Sequence, residues 1–473
     1  MHFNSDFESV RILSVTLCAD SKITLCAQNK YFEIAYSAGL FDLTLSVGTT
    51  LYFTKNMKIK TEPVEGSQNL SSLSIQNMEL NEQVMFQDHF EHVKLRNVTM
   101  KDSSCIVLNK MCKRLVIENF SGSIDVKNLA CLEEVEIRFS MEETADINII
   151  GSVRVDNLCF KNVCRSVNMV QSMLSSFIYI RNLKFESEFI YNSGLTAEAY
   201  VNIMKLIPGY ENASKKYASF LSSEYPQRCS RQEILFYETA NAAVNYILGH
   251  ILNTLKAATI QKIELASVAL SATNYGSLKA LNNLQILDIG TKKFSGALFN
   301  CLPPNLRLLN ISEPSKHIMN ENTSYNIADL RRMTRCCNLK VLIINADLVF
   351  ETCTLSFLPS SVKVLKIYFE SMPEEIPQIR DQIAHIRELY IEGNGNLFED
   401  RYCTVMHKTK AAPFVKMLSK CIKFKSLEHF AFISSYVLVE IDPNTLEFTK
   451  ARHGKSFERV GPIYDEVDAC FRV

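Results

Sequence analysis

The sequence predicts an α/β solenoid with a curved parallel sheet on its concave side, helices and irregular turns on its convex side, and a helical insertion midway. Three observations carry this. A short apolar triplet recurs along the chain, its copies follow one another at a narrow, regular spacing within each run, and the composition is that of a folded protein. The 473 residues are 47% hydrophobic and 22% charged, with 51 Lys+Arg balancing 51 Asp+Glu to a formal net charge of zero. That usage excludes a disordered chain and allows either two to four domains or one extended repeat array.

The triplet is apolar, two residues, apolar, one residue, apolar. It reads Leu70-Leu73-Ile75, Phe90-Val93-Leu95, Cys112-Leu115-Ile117, Leu132-Val135-Ile137, Val155-Leu158-Phe160 and Ile180-Leu183-Phe185. After a gap come Ile260-Ile263-Leu265, Leu284-Leu287-Ile289, Leu306-Leu309-Ile311, Leu339-Leu342-Ile344, Val362-Leu365-Ile367, Ile386-Leu389-Ile391 and Leu427-Phe430-Phe432. Weaker copies stand at Val10-Leu13-Val15 and Leu40-Leu43-Leu45. One match is cheap in so apolar a chain, and the spacing carries the signal: the central positions 73, 93, 115, 135, 158 and 183 are 20, 22, 20, 23 and 25 apart. Each triplet supplies one short strand with alternate residues pointing inward. A single copy cannot bury its apolar side, so copies must stack into one continuous core.

Over positions 70–185 and 260–432 the repeats resemble the leucine-rich repeat superfamily, whose period is about 20–29 residues. LNNLQILDIG (281–290) is similar to the family's strand, and LPPNLRLLNIS (302–312) and LPSSVKVLKI (358–367) resemble the short proline-led microbial type. The array departs from the family at the ninth position. Asn is usual there, but this chain has Met78, Val98, Phe120 and Val163, with Asn394 and Asp347 in two late copies. The resemblance implies an irregular, divergent member that binds proteins. Domain expectations follow: a β-rich cap or degenerate repeats over 1–66, repeats over 67–188, a helical insertion over 189–259, repeats over 260–435 and a cap over 436–473.

The insertion is expected from helical periodicity. SRQEILFYETANAAVNYILGHILNTLKAAT (230–259) opens with a Ser230–Glu233 capping box and repeats apolar residues from Ile234 to Leu255, giving a helix about 40 Å long. A second helix is expected over 196–207, before Pro208-Gly209. The pair either packs on the array or protrudes as an arm with its own partner. A basic amphipathic helix is expected over 413–425, with Phe414, Val415, Met417, Leu418, Cys421, Ile422 and Phe424 on one side and Lys408, Lys410, Lys416, Lys420, Lys423 and Lys425 on the other. It reads as the convex helix before the next strand, with membrane or acidic-partner docking as the alternative.

Chemistry-bearing motifs are missing from the sequence. There is no phosphate-binding GxxxxGK[ST], no GxSxG and no HExxH. His89 and His92 lack a third ligand, Cys336-Cys337 reads as a core position, and Glu392-Gly393-Asn394-Gly395-Asn396 reads as a repeat turn. The segment 1–60 lacks F-box character and alternates as strands. No cofactor, metal or small-molecule substrate is expected, and neutrality argues against non-specific nucleic-acid binding. With no apolar run long enough to cross a bilayer, no membrane span is expected. Asp6 and Glu8 stand where a signal peptide would be basic, so the 15 cysteines read as reduced thiols of an intracellular protein, cytoplasmic or nuclear. On that reading the six Asn-x-Ser/Thr sites (Asn69, Asn97, Asn119, Asn212, Asn310, Asn322) carry no glycan.

Residues between the triplet positions should line the concave face. Early copies place Lys94, Arg96, Lys113, Arg114, Glu118, Glu133, Glu134, Glu136 and Arg138 there, a mixed-charge surface. Late copies place Val341, Ile343, Val364, Tyr368, Phe369 and Tyr390 there, an apolar and aromatic cluster suited to a protein partner. The expected function is a non-catalytic scaffold or adaptor. The alternatives are a substrate-recognition subunit of a ubiquitin ligase or other enzyme complex, and an exported effector acting on a host protein.

Overall fold

A computed structural model of the full chain describes residues 91–100, 105–108, 110–139, 146–163, 167–187, 231–266, 270–289, 296–312, 331–345, 354–369, 382–393 and 418–433. It also describes the strands within 1–85 as backbone and shorter pieces at 268, 399–400, 403–406, 415–416, 437–445 and 448–453. The chain forms two compact units, Met1–Thr259 and Ile260–Val473, so the boundary falls where the second run of triplets begins.

The first unit opens with β1 (His2–Phe3), β2 (Ser9–Leu13), β3 (Lys22–Leu25), β4 (Tyr31–Ala35), β5 (Gly39–Thr44), β6 (Thr50–Phe53), β7 (Met57–Glu62) and β8 (Ser72–Leu80). The odd-numbered strands form one parallel sheet and the even-numbered ones join another, so each coil contributes a strand to both. Then follow β9 (Val84–Met85), β10 (His92–Met100), β11 (Cys105–Val107), β12 (Arg114–Asp125), β13 (Cys131–Arg138), β14 (Asp146–Ile150), β15 (Val153–Lys161), α1 (Val167–Ser176) and β16 (Phe177–Glu186). From β2 to β16 the sheet of even strands, with β13 and β15, runs parallel, and partners on adjacent strands stand 22, 19, 22, 20, 22, 20, 23 and 25 apart in the chain. The periodic array therefore reaches back through 1–66, whose strands belong to it.

Between β8 and β14 the return side is made of strands, where helices or irregular turns were expected. Strand β12 is long enough to serve both sides: residues 114–118 pair with β13 and residues 121–125 pair with β14. The corner between them is turned by asparagine. Asn97, Asn119 and Asn162 adopt left-handed φ values of 50°, 50° and 57°, a conformation that Asn tolerates better than other side-chain-bearing residues. Asn119 Nδ2 donates to Asn97 Oδ1 at 2.9 Å, stacking one corner on the next. Each corner swings the following residue, Val98, Phe120 or Val163, back into the core. The asparagine expected at the ninth position is thus found one place earlier. Gly122, at φ +139°, lets β12 pass Met100, whose Cβ stands where an added Cβ would have to go.

Two inward rows form the core of this unit. Val93, Leu115, Val135, Leu158 and Leu183 stack in one, and Leu95, Ile117, Ile137, Phe160 and Phe185 in the other. The last two rings stack at 5.6 Å. Burying each such side chain is worth about 1.5–3 kcal/mol. Helix α2 (Arg231–Leu252) packs against α1 with Phe236, Ala240, Ala243, Val244, Ile247, Leu248 and Ile251 buried at helical spacing. The described part of the insertion, 231–259, is therefore packed, and its helix is shorter than expected, the chain tightening into a 3-10 turn over Leu255–Thr259. Thr259 Oγ1 donates to the Ile180 carbonyl at 2.9 Å and accepts from its N–H at 3.3 Å, satisfying backbone groups of β16. The expected 196–207 helix and the Ser230 cap lie outside the described residues.

The second unit holds β17 (Lys262–Ala266), the short α3 (Tyr275–Leu278), β18 (Ile286–Asp288), β19 (Leu308–Asn310), β20 (Val341–Asn345), β21 (Val364–Phe369), β22 (Glu388–Gly393), β23 (Glu399–Asp400), β24 (Cys403–Met406), β25 (His429–Ile433), β26 (Val437–Ile441) and β27 (Phe448–His453). Strands β17 to β22 and then β25 run parallel, and β26 and β27 finish the sheet antiparallel. Here the returns are 3-10 turns, at Gly296–Asn300, Arg331–Arg335, Thr354–Phe357 and Phe424–Ser426. The expected basic helix is a short helical stretch at 415–416 and 418–421. Val415, Leu418, Cys421 and Ile422 are buried there, and Lys416, Lys420, Lys423 and Lys425 are exposed. It feeds β25, as expected of a convex element.

Candidate functional site

Alternation along each strand of the first unit puts one set of residues inward and the other on the open face of the sheet. The register lines the outward set into three rows. His92, Arg114, Glu134, Asn157 and Asn182 form the first. Lys94, Val116, Glu136, Cys159 and Lys184 form the second, and Arg96, Glu118, Arg138, Lys161 and Glu186 the third. The expected charged residues 94, 96, 114, 118, 134, 136 and 138 all lie on this face.

The face is knitted by ion pairs between neighbouring strands. Arg96 meets Glu118 at 3.2 Å, Arg114 meets Glu134 at 2.9 Å, and Lys161 bridges Glu136 and Glu186 at 3.2 and 3.4 Å. Burial by itself would lower the Lys161 pKa, but the hydrogen bond to Glu136 and the charges of Glu136 and Glu186 outweigh it and hold the pKa above its ordinary value. Partly exposed pairs of this kind contribute about 0–1 kcal/mol each, so they fix side-chain positions more than they stabilise the fold. Asparagines continue the lattice: Asn182 Nδ2 donates to Asn157 Oδ1 at 2.7 Å, and Asn157 Nδ2 donates to the Glu133 carbonyl at 2.9 Å. Arg154 lies over the Tyr179 ring at 4.5 Å. Next to Tyr179 in the chain, Ile178 is 55% exposed.

Along the N-terminal edge of the same strands, Lys113 N donates to the Glu91 carbonyl and Glu133 N to the Lys113 carbonyl, each at 2.8 Å. This puts Glu91, Lys113 and Glu133 in one column of alternating sign. Lys113 Nζ hydrogen-bonds Glu91 Oε1 at 3.0 Å, and that bond raises its pKa.

The late cluster differs from expectation. Val341, Ile343, Val364, Tyr368, Phe369 and Tyr390 lie on adjacent strands as expected, but none is more than 8% exposed. Phe369 also shares parity with Leu365 and Ile367 and so belongs to the opposite face from Val364 and Tyr368. The reason is a second apolar layer. Val341, Ile343, Val364 and Tyr390 pack in one buried cluster with Ile286, Leu308, Ala431 and Ile433. The near-continuous apolar runs of β20 and β21 are those of parallel strands covered on both faces. Within that layer Lys366, 6% exposed, pairs with Glu392, and Tyr390 donates to Glu388 Oε2 at 2.7 Å.

Three buried thiols are held in their protonated, poorly nucleophilic form. Burial pushes the thiols of Cys112 and Cys159 up to about 12 and that of Cys336 up to about 11. Among the described residues the cysteines are free thiols, and no group of three or more His, Cys, Asp or Glu is arranged to hold a metal ion. His92 is exposed at the start of β10, and His89 and 394–396 lie outside the described residues. Among the described residues no helix is long and apolar enough to cross a membrane. Three of the Asn-x-Ser/Thr sites are structural: Asn97 and Asn119 turn corners, and Asn310 Nδ2 donates to Asp288 Oδ1 at 3.0 Å.

These features define a repeat protein built on open, mostly parallel, solenoid-like sheets that displays side chains in straight rows. No protein-family model matches the chain, and no curated protein matches it in sequence.

Proposed function

We propose that this chain is a non-catalytic interaction scaffold of leucine-rich repeat character that binds a protein partner through its sheet surfaces. The observation that supports this most directly is the first unit's open face: three rows of mixed-charge side chains, in register across strands and held in place by cross-strand ion pairs. Rigid, pre-positioned polar groups lose little side-chain entropy on binding and select partners by charge complementarity. The buried late cluster packs the second unit's own sheet. The role as recognition subunit of a larger enzyme complex is a special case in which the partner brings the catalytic machinery.

The test is an affinity pull-down from lysate read by quantitative mass spectrometry. Wild type is compared with the variant Arg96→Ala, Arg114→Ala, Arg138→Ala, after circular dichroism shows equal folding. A partner enriched by wild type and depleted at least fivefold in the variant supports the scaffold reading on this face. Equal recovery by both, or recovery of no partner, overturns it.

A further inference from the structure

The N-terminal edge of the second unit repeats the backbone pattern of the first with a different charge distribution. Arg307 N donates to the Gln285 carbonyl at 2.8 Å, Lys340 N to Arg307 at 2.8 Å, Lys363 N to Lys340 at 2.9 Å, Arg387 N to Lys363 at 2.8 Å and Glu428 N to Arg387 at 2.7 Å. These bonds stack one residue per coil in a single column. Four consecutive members, Arg307, Lys340, Lys363 and Arg387, are cations, and all four are exposed. The equivalent column of the first unit alternates Glu91, Lys113 and Glu133, and its cation is paired with Glu91. In the second unit, among the described residues, the column's carboxylate contact is at its far end, Arg387 with Glu428 at 3.5 Å.

Like charges opposite one another on neighbouring strands are destabilising. Here they are not incidental to a basic chain, since the formal net charge is zero. The residues immediately before these strands, 296–307, 331–340, 354–363, 382–387 and 415–427, contain eleven Lys and Arg and no Asp or Glu, while acids of the same connections, such as Asp329, Glu351 and Asp381, stand further back in the chain. Side chains also fix the turns that carry the column. Asn305 Nδ2 donates to the Asn282 carbonyl at 2.8 Å, Asn338 Nδ2 to the Pro304 carbonyl at 3.0 Å, and Ser361 Oγ to the Cys336 carbonyl at 3.2 Å.

We propose that this column is a docking site for a short acidic polypeptide segment in extended conformation. The proposal deepens the scaffold reading and rests on it. Coils stack about 4.8 Å apart, so the column spans about 14 Å, which an extended segment of about five residues covers at about 3.3 Å per residue. Arginine at both ends supplies planar forks that match carboxylates, and lysine between them supplies point charges, that of Lys363 held in place by the Ser360 and His385 carbonyls at 3.0 and 3.5 Å. The column is bounded, by neutral Gln285 at one end and by Glu428, which repels an anion running further, at the other. A bounded column of four cations suits a short acidic segment better than a continuous nucleic-acid backbone, which needs many neutralised phosphates for affinity.

The test is fluorescence anisotropy of the full chain with labelled octaglutamate, octaglutamine and the single-stranded oligonucleotide dT8. The expected result is binding of octaglutamate at least tenfold tighter than octaglutamine and weakening as salt rises. The variant Lys340→Gln, Lys363→Gln should lose at least tenfold in affinity, while Lys110→Gln, Lys127→Gln in the first unit stays within twofold of wild type. Equal binding of octaglutamine, retention of affinity by Lys340→Gln, Lys363→Gln, or tighter binding of dT8 than of octaglutamate overturns the proposal. Because the pull-down variant alters only the first unit, failure here leaves the scaffold reading separately judged.

Discussion

The buried Lys366–Glu392 pair offers a sharp energetic prediction. Lys366 stands opposite Ile343 on one neighbouring strand and Tyr390 on the other. Its side chain is 8% exposed, and that of Glu392 is 15% exposed. Glu392→Ala leaves an ammonium in this apolar layer without its counter-charge, a change that costs about 3–5 kcal/mol. Lys366→Met removes the charge that was hardest to bury and leaves the better-solvated carboxylate, at a cost of about 1–2 kcal/mol. Lys366→Met with Glu392→Leu should return to within about 1 kcal/mol of wild type, because a well-packed apolar pair avoids both desolvation penalties. Native-state hydrogen exchange on peptides covering β21 and β22 reads this local stability without assuming that the two units unfold together. If Glu392→Ala costs less than about 1 kcal/mol, or if Lys366→Met costs more than Glu392→Ala, the pair is not the buried, mutually dependent one described.

Three further predictions concern the coils. Gly122→Ala must hold φ near +139° and meet Met100, so it should destabilise by about 3 kcal/mol in a thermal melt, whereas Gly276→Ala, in α3 with open space around it, should be neutral or slightly stabilising. Burial, reinforced by Lys363 and opposed by a bond to the Pro359 backbone, holds the His385 pKa below its ordinary 6.5. The unfolded imidazole then binds protons more readily than the folded one, so stability from this group is present above about pH 6.5 and lost as pH falls below it. His385→Gln should flatten that part of the stability–pH curve, and an unchanged curve would remove His385 as its source. In a thiol-labelling time course at mildly alkaline pH, exposed Cys337 should react at once, while Cys112, Cys159 and Cys336 should stay protected until the chain unfolds; early labelling of the latter three would contradict their burial.

The stacking order and inward rows were legible in the sequence. The register offsets from β8 to β16 (20, 22, 20, 23 and 25) equal the triplet spacings, because every coil must bring its apolar pair to the same core. The charged face was legible too, since period-two alternation assigns Arg96, Glu118 and Arg138 outward once Leu95, Ile117 and Ile137 are inward. The insertion's buried face followed from helical spacing. The corner asparagines were missed by one place, although Asn97, Asn119 and Asn162 each precede an apolar residue and could have been found by aligning copies on that pair.

What the sequence alone determined is the set of inward residues, because burial of alternating apolar side chains is a local pattern that every coil repeats. Three features needed the tertiary structure. Whether a return segment becomes a strand, as in β11 and β14, or a 3-10 turn, as at Thr354–Phe357, depends on the neighbouring coil's backbone hydrogen bonds. Whether Val341, Ile343, Val364 and Tyr390 meet solvent depends on what packs over the second face, and a run that is apolar at both parities reads the same either way. Finally, Arg307, Lys340, Lys363 and Arg387 each follow the first residue of a triplet, so their shared position was legible, but the backbone hydrogen bonds that stack them directly on one another, between partners 33, 23 and 24 positions apart, and their exposure belong to the folded chain.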